Sequence, residues 1–120
     1  MNIPIKVNIN NFYKTLLLLM HRFPLLRELR ERELDVLAEI MFQNYDNRAI
    51  KDFDKRQLVV FSQESKIKMC TRLGLAEANL NDYFSKLRKK GVIQGKKLIP
   101  FLNILPDKEY NFNIKFLINE

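Results

Sequence analysis

The sequence predicts an α+β domain that is mainly helical. Three observations carry that expectation. Apolar residues recur at helical spacing through four stretches between residues 10 and 90. Gly74 and Gly91 sit at the ends of two of those stretches, where helices commonly stop. The two ends of the chain instead alternate apolar and polar residues, the period of a strand. With 120 residues, 47% hydrophobic and 29% charged, the chain has the size and composition of one folded domain.

The elements follow in chain order. Ile3, Ile5, Val7 and Ile9 fall on one side of an N-terminal strand. Asn10 or Asn11 can cap a first helix, with Phe12, Leu16, Leu19 and Phe23 as its apolar stripe. Pro24 ends that helix or opens the next. A second helix is expected from about Leu26 to Tyr45, burying Leu34, Leu37, Ile40 and Met41. Its other face mixes signs, with Arg27, Glu28, Arg30, Glu31, Arg32, Glu33, Asp35 and Glu39, and reads as solvated. Asp46-Asn47 marks a turn, and Ile50 and Phe53 anchor a short helical turn. Leu58-Val59-Val60-Phe61 suits a short strand.

From Ser62 onward the pattern is helix, tight turn, helix, tight turn, strands. Ser62 can cap a helix running to Leu73 that buries Ile67, Cys70 and Leu73. Gly74 allows the turn and Leu75 re-enters the core. A second helix from about Glu77 to Lys90 buries Leu80, Tyr83, Phe84 and Leu87. Val92-Ile93 starts a strand, residues 94–97 turn, and Leu98-Ile99 returns. Residues 100–106, between two prolines, form a rigid connection across the core. Tyr110, Phe112, Ile114, Phe116 and Ile118 then mark a C-terminal strand.

The net charge is +7, and residues 66–99 carry all of the surplus. They hold nine basic side chains and only Glu77 and Asp82 as acids, whereas the rest of the chain balances. A surplus confined to one segment points to a polyanionic partner.

That segment resembles the winged helix-turn-helix family. The resemblance rests on Cys70, Leu73, Gly74, Leu75, Leu80 and Leu87, and on the exit Lys89-Lys90-Gly91-Val92-Ile93. A small residue four positions before the turn glycine and a branched apolar residue six after it match the family's pattern at Cys70 and Leu80. Upstream, residues 32–37 are similar to the family's first helix. The resemblance implies three parts of a single domain: an N-terminal strand and helix (1–28), a winged helix-turn-helix core (29–99) and a C-terminal strand extension (100–120).

It also implies double-stranded DNA as the partner. Helix 77–90 would enter the major groove and residues 94–97 would form a basic wing tip. The candidate DNA-binding residues are Lys66, Lys68, Arg72, Asn79, Asn81, Lys86, Lys89, Lys90, Lys96 and Lys97. Asparagine can read adenine through two hydrogen bonds, and lysine can read guanine or hold a phosphate. Glu77 and Asp82 oppose this reading, because carboxylates repel the backbone.

Catalysis is poorly supplied. There is no glycine-rich phosphate loop, and His21 is the only histidine. The single Cys70 allows no internal disulfide and, with one histidine, no Cys/His zinc site, so no cofactor is expected. Cys70 reads as a small core residue, His21 as a structural or surface histidine, and Tyr83 and Phe84 as core. The longest apolar run, Leu16–Met20, is far short of a membrane span, so no membrane partner is expected. The preferred expectation is a non-enzymatic, cytoplasmic regulator of transcription or replication. The terminal strands can pair with each other or add to a neighbouring subunit's sheet; the second option gives the alternative function, an assembly subunit, for example of a phage particle and so virion-associated. The richness in Asn, Ile and Lys is that of AT-rich coding, which associates with phage and mobile elements.

Overall fold

The computed structural model describes residues 3–119, so the extreme ends of the first and last segments lie outside the described residues. Among the described residues there are five α-helices: α1 (Ile9–Met20), α2 (Glu31–Asp46), α3 (Phe53–Val60), α4 (Gln63–Leu73) and α5 (Glu77–Lys89). One antiparallel hairpin follows, β1 (Ile93–Gln94) and β2 (Lys97–Leu98), and then a 3-10 turn over Pro100–Leu102. The mainly helical α+β expectation holds. None of the described helices is long and apolar enough to cross a membrane.

Helix α2 is the centre of the molecule and packs against α1, α3, α4 and α5. Its expected stripe, Leu34, Leu37, Ile40 and Met41, is fully buried. Its charged face is not simply solvated as the sequence suggests. Glu33 and Glu39 are only 3% and 7% exposed, because each meets a cation from a distant part of the chain. The helix starts at Glu31, where the Arg30 amide donates to the Glu33 carboxylate at 2.7 Å. Leu26 and Leu29 are buried from the preceding turn.

Helix α1 begins two to three residues earlier than expected. Asn8, not Asn10 or Asn11, is its cap, accepting from the Asn11 amide at 3.1 Å. Its buried face is Tyr13, Leu16, Leu17 and Met20, while Leu19 is half exposed. The run Leu16–Met20 is apolar all round, so spacing alone does not choose a face. Tyr13 decides it: its hydroxyl donates to the Ile104 carbonyl at 2.6 Å inside the core. Burial, with Tyr45 nearby, pushes that phenol well above its ordinary pKa.

Three expected strands are absent. Leu58–Phe61 does not form one: residues 58–60 are the last turn of α3, with Val60 and Phe61 buried and Leu58 exposed. β propensity reports fit to a pleated surface, and no partner ladder lies there. Asp52 instead caps a helix by accepting from the Lys55 amide at 2.9 Å. Residues 3–7 and 110–118 likewise have no regular structure, and Ile3, Ile5, Phe116, Leu117 and Ile118 are exposed. An alternating segment without a neighbour gains nothing from its pattern. Residues 102–112 nevertheless pack back: Leu102 and Ile104 are buried, Tyr110 sits edge-on to Phe12, and Phe112 packs on Phe23.

Candidate nucleic-acid interface

Ser62 caps α4 as expected, accepting from the Ser65 amide at 3.3 Å. The buried face of α4 is Ser65 and Met69 rather than Ile67, which is 58% exposed. Cys70 and Leu73 lie at the edge of the core, partly buried. Burial, with the Glu77 carboxylate nearby, raises the Cys70 thiol pKa, so it is a poor nucleophile. Gly74 ends α4 in the left-handed conformation, at φ 67° and ψ 38°. The Gly74 and Leu75 amides both donate to the Cys70 carbonyl, which closes the turn and returns Leu75 toward the core.

Helix α5 buries Leu80, Phe84 and Leu87. At about 100° per residue, its outward ridge is Ala78, Asp82, Ser85 and Lys89, all exposed. Asn81 flanks one side of that ridge; Asn79 and Lys86 flank the other. The two asparagines therefore reach different parts of any groove the helix enters.

The hairpin is locked to the end of α5. The Val92 amide donates to the Leu87 carbonyl at 3.2 Å, and Arg88 Nε donates to the Gly95 carbonyl at 2.8 Å. Ile93 pairs with Leu98 and Gln94 with Lys97, leaving Gly95-Lys96 as the tip, with Gly95 at φ 61°. From below, Gln57 Oε1 accepts from the Leu98 amide, and Lys97 pairs with Asp54 at 2.9 Å.

The ten candidate residues fall into two groups. Arg72, Lys90 and Lys97 each bind a carboxylate of this chain. Arg72 Nε donates to both oxygens of Glu39, at 2.7 and 2.9 Å, and its guanidinium lies over the Phe42 ring. Lys90 donates to Glu33 at 2.6 Å and to the Glu28 carbonyl at 2.9 Å. Arg72 and Lys90 thus neutralise two buried carboxylates and clamp α4 and the end of α5 onto α2.

Lys66, Lys68, Lys86, Lys89 and Lys96 pair with no carboxylate among the described residues. All but Lys66 are exposed; Lys66 is half-buried over the Phe84 ring, and Lys86 lies near the Tyr83 ring. These five and the exposed Asn79 and Asn81 face outward from α4, α5 and the hairpin tip together with Arg88 and the exposed acids Glu64, Glu77 and Asp82. Phe84 is core and Tyr83 packs beside it, so neither is a stacking platform. His21 is structural, its Nε2–H donating to the Leu29 carbonyl at 2.8 Å.

Arg88 is the residue that sequence reasoning passed over, since its role depends on where the hairpin tip lands. The pairing of Arg72 and Lys90 was equally invisible, because Glu39 and Glu33 lie 33 and 57 positions away. No family model, curated protein or solved structure matches the chain.

Proposed function

We propose that this chain is a non-enzymatic double-stranded DNA-binding protein with a winged helix-turn-helix core. In this reading α2, α4 and α5 are its three helices and the 93–98 hairpin is its wing. One observation carries the reading: residues 66–99 hold nine basic side chains against Glu77 and Asp82, and five of those cations, Lys66, Lys68, Lys86, Lys89 and Lys96, pair with no carboxylate among the described residues. Helix α5 enters the major groove, where Asn79, Asn81 and Lys86 meet base edges or phosphates. Lys66 and Lys68 on α4, Lys89 on α5 and Lys96 on the wing tip hold backbone phosphates. Asp82 on the outward ridge disfavours phosphate contact there and suits acceptance from a cytosine amino group. A role in transcription or replication fits such a protein.

Binding to a mixed-sequence duplex across a salt series tests the reading. Contact with about five phosphates gives a log K against log salt slope of roughly −4 to −5. Lys86→Ala/Lys89→Ala/Lys96→Ala should flatten it by about two to three. Absence of binding at low salt would overturn groove docking.

A second reading has its own observation. Ile3, Ile5, Phe116, Leu117 and Ile118 are exposed on terminal segments that form no strand pairing among the described residues. Such segments suit an assembly subunit that joins copies or neighbours through its ends.

A further inference from the structure

Arg56 is only 3% exposed, yet it pairs with no carboxylate among the described residues. Its guanidinium donates to Asn44 Oδ1 at 2.7 Å, Asn103 Oδ1 at 2.9 Å and the Ile50 carbonyl at 2.8 Å. These three neutral acceptors fix its orientation and leave its charge uncompensated. The buried carboxylates Glu33 and Glu39 are treated differently, each meeting a cation. A buried, uncompensated cation is expensive unless something neutralises it.

Arg56 lines an open pocket of about 450 Å³ between the end of α2, the start of α3 and residues 103–107. That lies within the usual range of small-ligand sites, about 300–1,000 Å³. Arg48 and Lys51 line the same pocket, and Asp107 is the one carboxylate among its lining residues. Arg48 is held in place over the Tyr45 ring, 4.0 Å from its centroid, and donates to the Tyr45 carbonyl at 3.2 Å. Lys51 is exposed. Arg56 has five N–H donors and uses three of them in the bonds above. Three cations against one carboxylate leave a local surplus close to the charge of a phosphate monoester, whose oxygens suit guanidinium forks.

We propose that this pocket binds the phosphate group of a small phosphorylated ligand, with Arg56 at its base and Arg48 and Lys51 closing on the phosphate. None of the lysines of α4, α5 or the hairpin tip is among its lining residues.

The test titrates the intact chain with inorganic phosphate and, separately, with adenosine monophosphate, against chloride at constant ionic strength. Calorimetry and thermal unfolding are read together. Saturable binding that raises Tm is the expected result. Arg48→Ala/Lys51→Ala should weaken it roughly tenfold. Asp107→Asn should tighten it several-fold, and Lys96→Ala should leave it unchanged. The proposal is overturned if neither probe binds above the chloride control, or if both variants leave the affinity as it was. It is equally overturned, in favour of a DNA-backbone contact, if neither probe binds while the double variant flattens the salt slope on duplex DNA.

Discussion

Lys90 and Lys89 are neighbours in sequence with opposite tasks. Lys89 stands on the outward ridge of α5, whereas Lys90 turns inward to Glu33, whose side chain is 4% exposed. Burial alone would push the Glu33 carboxyl up. The Arg30 amide and the Lys90 ammonium outweigh that and hold it below the usual carboxylate range. A carboxyl whose folded pKa is depressed stabilises the fold above its unfolded pKa of about 4.3, and that stability is lost as pH falls through the folded value. Lys90→Ala leaves a buried carboxylate without its cation and should lower unfolding free energy by about 2 kcal/mol at pH 7. In urea unfolding the two proteins should converge only as pH falls through the depressed folded pKa of Glu33, below the usual carboxylate range, where the carboxyl becomes neutral. A deficit that does not shrink as pH is lowered through and below the carboxylate range would contradict the ion-pair account. If the protein binds DNA as proposed, the variant's affinity, measured where it is fully folded, should fall less than that of Lys89→Ala; the Lys89 side chain is exposed and pairs with no carboxylate among the described residues.

At the scale of elements, α4, its turn and α5 behave as one unit because the turn geometry is fixed by a single residue. Gly74 has φ 67°, and a Cβ placed there would touch nothing within 4 Å. Gly74→Ala should therefore cost only the left-handed backbone penalty, about 1–2 kcal/mol, without a packing term. Chemical denaturation checks this; a loss beyond about 3 kcal/mol would mean that the turn moves and α5 with it. This unit was legible in the sequence because its signals are local. Ser62 and Gly74 bound one helix, Gly91 follows the next, and Leu80, Phe84 and Leu87 repeat at helical spacing. The elements that were misread depend on distant partners. Val59 and Val60 look like strand residues but end α3, where Arg56 and Gln57 bond to Asn44 of α2. Leu16–Met20 could have faced either way until Ile104 accepted from Tyr13. The site was legible only as a surplus of charge. Which cations face outward depended on Glu33 and Glu39, two acids on a face that looked solvated.

For the whole molecule, the terminal segments decide between the two readings of function. The part of the C-terminal extension that matters to the fold ends near Phe112: Leu102 and Ile104 are buried, Asn103 bonds to Asn44 and Arg56, and Phe112 packs on Phe23. Beyond it, Phe116, Leu117 and Ile118 are more than 80% exposed, as the N-terminal Ile3 nearly is at 80%. A chain trimmed of residues 1–7 and 114–120 keeps the Asn8 cap of α1, and the described residues it loses, 3–7 and 114–119, are all exposed. Thermal stability should change by less than about 1 kcal/mol, as for surface changes away from packed or bonded groups. If the protein works as a DNA-binding monomer, the trimmed chain keeps both its affinity for duplex and its salt slope, because every lysine of the proposed interface remains. If the ends join subunits, sedimentation of the full chain gives an oligomer and that of the trimmed chain a monomer, with Ile3, Ile5, Phe116, Leu117 and Ile118 supplying the lost contact area. DNA binding that vanishes together with oligomerisation would make the two readings one, a groove-binding unit that needs a second copy to reach its affinity.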